Sequence, residues 1–410
     1  MQNVESPGFR SYLRSKTRTG DEGLGDGILF PSGLTWHLLR GTESILRDLE
    51  EEWEILCESE DVRYGYLRPK LLRVHLSAFS PGTSLTLIVA RQAGELMAIF
   101  PLEDRTNGFD PISVRWLRSA SNRELPHLDV ICRDSDTERV ARDLWRLFRE
   151  MKGWDVLQID TVPSGGAVDQ LRELAGQEGR RIYLHNPTRV PFIEIPASRT
   201  IHEVIEKQHR SLRKQLRRDL RKLEELGDIR LVEGGGEGAP DHTASCYQRF
   251  LDLEHDTWKG RESYSIRSRR EMKVFYDNLF HTEGSEGRWR VHLLTCDGEI
   301  VSGALGLVSG TTYYGIRIAF NERYRRYSPG HLLLLHQIHA LGRRGYTTID
   351  MGRNDSPEKM AWTSSTHQLG TPFIFNHSLR GRIAHFLIVK AAPTMKSLLK
   401  EKWTPKVSHG

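Results

Sequence analysis

The stretch YSPGHLLLL, residues 327–335, is the most informative part of this chain about its expected fold. Its Ser-Pro-Gly turn opens directly into an apolar helix. The first N–H groups of a helix have no partner within it and lie at its positive end. The turn therefore predicts a site for phosphate oxygens where the helix begins.

Strand patterns flank this turn on both sides. Residues 311–318 alternate strongly before it, and residues 346–352 (YTTIDMG) form a buried-strand pattern after the helix. The order strand, anion-binding turn, helix and strand places the candidate site in the C-terminal half of the chain.

The composition indicates a globular protein with room for two domains. A length of 410 residues suffices for two domains of ordinary size, and 38% hydrophobic residues can build their cores. The net charge is only +5, from 59 basic and 54 acidic residues, so it does not indicate the partner. Local clusters of charge are more informative.

The cysteines and the apolar segments indicate in which cellular compartment the protein is expected. The four cysteines stand far apart without a Cys-x-x-Cys pair, which predicts free buried thiols in a reducing compartment rather than disulfides or a zinc site. Residues 1–27 are polar and unlike a signal peptide, and apolar windows such as residues 85–100 contain charges. We therefore expect a cytoplasmic protein without a membrane span. The cysteines are Cys57, Cys132, Cys246 and Cys296.

Patterns of helices, strands and glycine-rich loops predict five segments. These are a flexible leader (1–33), an N-terminal domain (34–198), a basic linking helix and loop (199–232), a C-terminal domain with the cofactor site (233–380) and a basic tail (381–410). Both domains show helices, then a hairpin across a glycine turn, at Gly94 and at Gly298, and then a helix and a strand. This order predicts a diverged structural repeat. Only the second copy carries the Ser-Pro-Gly turn, so only that copy is expected to bind a cofactor.

The predicted helix over residues 201–226 carries a concentration of positive charge between Lys207 and Lys222. Three interpretations are open: a solvated face with intrahelical ion pairs, contact with an anionic membrane surface, and contact with tRNA. No aromatic residues alternate with the charges, which weakens specific RNA recognition. DNA is not expected as a partner.

Several motifs together resemble GNAT-related acetyltransferases of the CelD type, which occur in bacterial cellulose and exopolysaccharide gene contexts. They are GALGLV at 303–308, the turn at 327–330, IDMGR at 349–353 and Lys359 in the second half. PHLD at 126–129 and WKG at 258–260 resemble the family as well, and the resemblance covers roughly residues 35–380. The FemAB-type peptidoglycan ligases share this twin architecture and the turn, but they use aminoacyl-tRNA.

The resemblance implies an α+β fold of two tandem GNAT-like domains, each a mixed twisted sheet flanked by helices. It implies acetyl-CoA or another acyl-CoA as co-substrate, without a metal ion, and a small-molecule or sugar acceptor. In this fold the strand at 311–318 lies beside the strand at 347–351, and the two splay apart around the cofactor. The residues expected to bind it are Tyr314, Gly315, Ile316, Ser328, Pro329, Gly330, His331 and Leu332.

Acyl transfer to an amine requires a group that takes the amine proton and a group that protonates the leaving thiolate. Tyr327, at the expected mouth of the crevice, is a candidate for the second role, and packing under the turn is its alternative. Asp350 and Glu254 are candidates for the base, with Asp256, His292 and a water relay left open.

The acceptor pocket is expected to be walled by Trp258, Lys259 and Arg261, which follow a helix. Arg317 is a candidate for binding an anionic acceptor, and a surface arginine is its alternative. Arg353 and Lys359 in the loop after the last strand complete the acceptor-binding candidates.

A metal site is not expected from the local histidine pattern. His336 and His339 stand three apart on the apolar helix without a suitably spaced third ligand.

The resulting hypothesis is an acyl-CoA-dependent N-acyltransferase of cell-surface polysaccharide metabolism. Its alternatives are a FemAB-like transferase that uses aminoacyl-tRNA and a non-catalytic adaptor at a membrane surface. FemAB-like ligases often insert a long helical hairpin, whereas in this chain one basic helix leads into a glycine loop, which favours acyl-CoA.

Overall fold

The structure is a computed structural model that describes residues 27–109, 112–121, 124–198, 200–235, 240–280 and 288–391. Most of the predicted leader and most of the predicted basic tail lie outside the described residues. Among the described helices, none has the length and apolar character needed to span a bilayer.

Strands and helices alternate along the described chain. The strands are β1 (Ile28–Leu29), β2 (Thr35–Gly41), β3 (Ser84–Gln92), β4 (Glu95–Phe109), β5 (Ile112–Ser119), β6 (Ile131–Cys132), β7 (Val156–Gln158), β8 (Val162–Pro163), β9 (Arg181–Glu194), β10 (Ile229–Gly234), β11 (Trp289–Cys296), β12 (Glu299–Ser309), β13 (Thr312–Phe320), β14 (Thr348–Asp350) and β15 (Thr366–Phe375). The α-helices are α1 (Glu50–Glu58), α2 (Pro69–Phe79), α3 (Thr137–Glu150), α4 (Ala167–Gln177), α5 (Ile201–Glu206), α6 (Arg210–Glu224), α7 (Pro240–His255), α8 (Trp258–Arg261), α9 (Arg270–Asn278), α10 (Pro329–Arg343), α11 (Pro357–Met360) and α12 (Leu379–His385). Short 3-10 segments lie at Glu43–Leu49, Asp134–Asp136, Ile266–Ser268 and Glu322–Tyr327, and Phe386–Ala391 forms a π-helix.

Thirteen of the fifteen described strands form one continuous mixed sheet in the order β1-β2-β3-β4-β5-β7-β15-β9-β14-β13-β12-β11-β10, and the short strands β6 and β8 pair with β4 and β15. We call the β1-to-β15 half the first lobe and the β14-to-β10 half the second lobe. In each lobe an antiparallel meander ends in a parallel pair, β5 with β7 in the first and β13 with β14 in the second. This shared order confirms the predicted α+β fold with a GNAT-like sheet.

The two predicted hairpins are present, and their turns explain why glycine stands in both. The β3–β4 turn has positive φ at Ala93 (51°) and Gly94 (88°), and the β11–β12 turn has positive φ at Asp297 (47°) and Gly298 (83°). Two consecutive positive φ angles form the type I′ geometry whose twist matches that of the strands.

The lobes exchange strands, which the predicted domain boundaries did not anticipate. β15 falls within the segment predicted as the C-terminal domain, yet it lies in the first lobe, between β7 and β9. β9 is long enough to serve both lobes, because its earlier residues pair with β15 and its last three pair with β14. The physical reason is that strand partners are chosen by long-range pairing, which local patterns do not encode.

The segment predicted as a basic linker is an integral part of the second lobe. The expected single helix is divided into α5 and α6, and β10 adds the outermost strand through its antiparallel pairing with β11. The apolar stripe of α6 packs in the same core as α10, whose Leu332 and Leu333 are fully buried. The stripe consists of Leu212, Leu216, Leu220 and Leu223.

Candidate active-site crevice

A crevice opens where β13 and β14 part. The two strands pair in parallel at only three positions, the last of which joins Tyr314 to Asp350, and β13 then continues to Phe320. The crevice has a volume of about 940 Å³, within the range of small-molecule sites. The predicted splaying of these strands is therefore present.

A bulge and a glycine contact shape the crevice wall. Leu305 of β12 faces Arg317 and Gly306 faces Gly315, so Ile316 has no counterpart on β12. Such a bulge bends its strand and interrupts the hydrogen-bond ladder locally. On the opposite side, a Cβ at Gly352 would lie 2.7 Å from the carbonyl oxygen of Gly315, and Gly352 also has a φ of 71°. Only glycine lets the two backbones approach this closely.

The Ser-Pro-Gly turn lies at the crevice, as expected, but its amides are not all available. Ser328 has left-handed backbone angles (φ 51°, ψ 53°), and its carbonyl accepts the N–H groups of His331 (2.9 Å) and Leu332 (3.1 Å). The Gly330 N–H, at the second helical position, has no acceptor within its helix. Among the first amides of α10, at Gly330, His331 and Leu332, the Gly330 amide is therefore the best placed to bind phosphate.

Helix α6 holds this turn in its left-handed conformation. The Ser328 hydroxyl donates to the carboxylate of Asp219 (2.8 Å), which is buried, and accepts from the Gln215 amide (3.0 Å). Sequence reasoning assigned neither α6 residue to the site and considered Asp219 only as a partner for intrahelical ion pairs. Their polar identity on an otherwise apolar helix face was the available signal.

His331 faces the crevice in a defined tautomer. The Trp362 indole N–H donates to its Nδ1 (2.8 Å), so a neutral His331 carries its proton on Nε2. Burial lowers the pKa of His331, which favours this neutral form. His331 can therefore donate one hydrogen bond to an anion or a carbonyl in the crevice.

Tyr327 belongs to the core of the second lobe. It is 6% exposed, and its hydroxyl accepts from Arg326 (2.6 Å). It is not among the residues that line the crevice. This geometry favours the packing alternative over protonation of a leaving thiolate.

Arg317 and Lys259 line the crevice, and both are held by the buried carboxylate of Glu254. The Arg317 guanidinium donates to Glu124 of the first lobe (2.8 Å) and to Glu254 (2.7 Å). Glu254 is fully buried and also accepts from Lys259 (3.4 Å) and from the Ile266 N–H (2.8 Å). Because these partners occupy its oxygens, Glu254 is better suited to anchoring Arg317 than to taking a proton.

The other predicted acceptor contacts separate into surface and loop residues. Trp258 is 46% exposed, and Arg261 pairs with Glu322 at the surface (2.8 Å). Neither lines the crevice, whereas Arg353 and Lys359 do.

Lys359 fastens the loop that follows β14. Its ammonium group donates to the carbonyl oxygens of Gly352 (3.0 Å) and Arg353 (2.7 Å), and burial lowers its pKa. Asn354 in the same loop has a φ of 66°, a left-handed angle that glycine prefers and asparagine tolerates. Asparagine at this position is thus compatible with the loop conformation.

Asp350 ends β14 beside the crevice and meets two histidines that sequence reasoning did not assign to the site. Its Oδ1 accepts the Gly352 N–H (2.8 Å), and its Oδ2 lies 3.4 Å from Nε2 of both His127 and His367. Asp350 is 3% exposed, and burial raises its pKa to about 7. Burial likewise lowers the pKa of His127 to about 3, so this imidazole is neutral.

Comparison with known proteins agrees with this geometry. Residues 210–360 match the family model described as the acetyltransferase (GNAT) domain, a span that runs from α6 through the turn to the end of α11. No curated protein matches the chain.

Two solved structures share the fold. The crystal structure of FemX is 13% identical, with 83% of this chain and 98% of that chain covered at a TM-score of 0.54. The C-terminal domain of a putative lysylphosphatidylglycerol synthetase from Agrobacterium fabrum is also 13% identical, with coverages of 84% and 97% and a TM-score of 0.50. At this identity the likeness concerns the fold alone. The residues of β13, the Ser-Pro-Gly turn and β14 that line the crevice fall within the span that matches the GNAT domain, and this match supports a GNAT-type acyltransferase.

Proposed function

We propose that the protein is an acyl-CoA-dependent N-acyltransferase that transfers an acyl group, acetyl in the simplest case, to an amine of a small molecule or sugar precursor. The observation that carries this proposal is the crevice between β13 and β14, with the Gly330 amide at its wall. The GNAT fold implies an acyl-CoA co-substrate. The role in cell-surface polysaccharide metabolism rests on the resemblance to CelD-type proteins, and the cytoplasmic location rests on the widely spaced cysteines.

The residues of the crevice fit such a co-substrate. The Gly330 N–H at the positive end of α10 suits a diphosphate, and Arg325 at the rim adds positive charge. Beyond Tyr314, the edge of β13 that faces away from β12 has lost its β14 partner, so its amides suit the amide-containing pantetheine arm. When bound, an acyl-CoA supplies a thioester, an acyl group activated for transfer.

The first lobe supplies the acceptor side of the crevice. Glu124, Leu125, Pro126 and His127 line it, and Asp350, which pairs with Tyr314 of β13, lies 3.4 Å from His127. An amine held there would form the new C–N bond as the C–S bond breaks and the CoA thiolate leaves. The amine must lose one proton in this reaction. We propose that Asp350 removes that proton, because its carboxylate lines the crevice at the end of the central strand β14.

Gly330→Glu tests the donor site. A Cβ at Gly330 would first meet Ile318 Cδ1 at 3.7 Å, so the backbone tolerates a side chain, but a carboxylate would then stand where the diphosphate binds. We expect acetyl-CoA to bind at least about 100-fold more weakly, a loss of about 2.7 kcal/mol. Calorimetry with purified protein and acetyl-CoA or longer acyl-CoAs measures this.

Two variants at the same position separate charge from size. Gly330→Ala should bind like the wild type, and Gly330→Gln, which matches glutamate in volume without its charge, should show an intermediate loss. Heat of binding that persists unchanged in Gly330→Glu would place the donor elsewhere.

A second candidate is a transferase that takes its acyl group from aminoacyl-tRNA. The observation that favours it is the basic helix α6, whose Gln215 lines the crevice and donates a hydrogen bond to Ser328. The described residues between β9 and β10 form only α5 and α6, without a long helical hairpin, which supports acyl-CoA instead. Saturable binding of tRNA, together with no detectable heat of binding for any acyl-CoA tested, would favour this candidate.

An anionic membrane surface is proposed as a partner of the same helix. The α6 sequence contains seven basic and two acidic residues, and Arg217 and Arg218 are more than half exposed although they pair with Glu206 and Asp219. Since each cation near an anionic surface contributes about 1 kcal/mol, changing both arginines to glutamine should weaken binding about 30-fold. Pelleting with phosphatidylserine vesicles measures it, neutral vesicles are the control, and equal pelleting of both proteins would exclude this surface.

A further inference from the structure

Three side chains that are remote in sequence converge beside the crevice. His127 follows β5 in the first lobe, Asp350 ends β14 in the second, and His367 lies in β15, the strand exchanged between the lobes. Their Nε2, Oδ2 and Nε2 atoms form a triangle with sides of 3.4, 3.4 and 3.1 Å. His127 and Asp350 are each 3% exposed, and both line the crevice.

This triangle has the size of one face of a metal coordination tetrahedron. With metal–ligand bonds of about 2.0–2.1 Å, two ligands of a tetrahedral zinc ion lie about 3.3–3.4 Å apart. A single cation could therefore contact all three atoms after displacements of a few tenths of an ångström. The ligand type agrees as well, because two imidazoles and one carboxylate suit transition metals better than Mg²⁺ or Ca²⁺.

Hydrogen bonds among these three atoms satisfy them less completely than a bound metal ion would. Two neutral imidazoles carry at most two protons on their Nε2 atoms. Beside an ionised Asp350, at most two of the three close contacts can then be two-centre hydrogen bonds. If both imidazoles donate to Asp350, their two N–H groups face each other, and if one imidazole donates to the other, a lone pair of the acceptor faces the carboxylate. The competing arrangement is such a hydrogen-bonded cluster, in which the proton of His127 stays on Nε2 and faces Asp350.

We propose that His127, Asp350 and His367 bind one divalent transition-metal ion, Zn²⁺ or a metal of similar ligand preference, with a fourth position open to the crevice. This replaces the sequence-based expectation of no metal. Three protein ligands and one open position are typical of catalytic rather than structural zinc sites. The positive charges of the nearby Arg353 and Lys359 are expected to weaken metal binding by repulsion. The Lys359 ammonium group itself is held by backbone carbonyls.

The site deepens the proposed function and its catalytic role rests on that function. A metal ion at these three side chains would lower the pKa of a bound water toward neutrality. This water would lose a proton to solvent, and the resulting hydroxide would take the proton that the acceptor amine must lose. In this arrangement, Asp350 acts by holding the ion.

Metal binding is tested on the purified full-length chain after removal of metal with a chelator. Calorimetry with Zn²⁺ should give one equivalent per chain, and Co²⁺ should give the strong visible absorption of a four-coordinate site. His367→Ala and the nearly isosteric Asp350→Asn should each weaken Zn²⁺ binding at least about 100-fold. His202→Ala, which removes an exposed histidine of α5, is the control and should bind like the wild type.

Each outcome decides between the two arrangements. Absence of stoichiometric Zn²⁺ and Co²⁺ binding, or binding that survives both ligand substitutions, would establish the hydrogen-bonded cluster instead. Circular dichroism and thermal melts identify a His367→Ala protein that has lost its fold, in which case Asp350→Asn carries the test. A chain that binds acetyl-CoA but not Zn²⁺ would reject the metal site alone, and a chain that binds Zn²⁺ but no acyl-CoA would reject the proposed donor alone.

Discussion

Replacing Asp350 by asparagine is expected to lower the turnover of acyl transfer by about 100- to 10,000-fold, the range typical of losing a group that handles a proton in the transition state. Asparagine keeps the volume of the side chain and can still accept the Gly352 N–H through its carbonyl oxygen. The loop after β14 should therefore stay in place. Release of free CoA from acetyl-CoA, followed with a panel of amino sugars as acceptors, measures turnover.

The same variant should bind acetyl-CoA nearly as well as the wild type, since Asp350 lies on the acceptor side of the crevice. Asp355→Asn is the matched control, because Asp355 pairs with Arg189 at the surface a few residues further along the same loop (2.5 Å). Full activity of Asp350→Asn would remove this carboxylate from the mechanism, whether it acts alone or through a metal ion.

Arg317→Ala is expected to lower the free energy of unfolding by about 3–5 kcal/mol. The guanidinium is 13% exposed and compensates two carboxylates, one of which, on Glu254, is fully buried. Removing the cation leaves those charges without their partner in a poorly solvated site. Urea denaturation followed by fluorescence or circular dichroism gives the change.

Arg261→Ala provides the comparison for this prediction. Its ion pair with Glu322 has side chains that are 60% and 47% exposed, so its removal should cost less than about 1 kcal/mol. Similar losses from the two substitutions would mean that the Arg317 network is solvated and contributes little. Because Glu124 belongs to the first lobe and Arg317 to the second, a large loss would also show that this network joins the lobes.

Local sequence patterns were sufficient for the parts of the fold that depend on neighbours along the chain. The two hairpins follow from turns that need positive φ at Gly94 and Gly298. The helix start at Pro329 follows from the Ser-Pro-Gly turn, and the apolar stripe of α6 follows from helical periodicity. In each case, the interaction that sets the structure acts within a few residues, so the sequence displays it directly.

The composition of the candidate site could be predicted only in part. Gly330 and Asp350 were identified because they belong to one continuous segment with a strand-turn-helix order, whereas the splaying of the strands was expected from the family resemblance. Arg317 and Glu254 were identified as candidates, but their roles depend on Glu124, a partner from the first lobe. Tyr327 was placed at the mouth of the crevice, whereas its side chain turns into the core.

The amino-acid sequence was therefore enough to predict the α+β class, the Ser-Pro-Gly turn at the crevice and the GNAT class of chemistry. The return of β15 to the first lobe, and the meeting of His127 and His367 with Asp350, required the complete fold. Strand exchange and side-chain convergence depend on contacts between residues far apart in the chain, which leave no periodicity or spacing in any local window. A site assembled from three such segments becomes visible only when the sheet is complete.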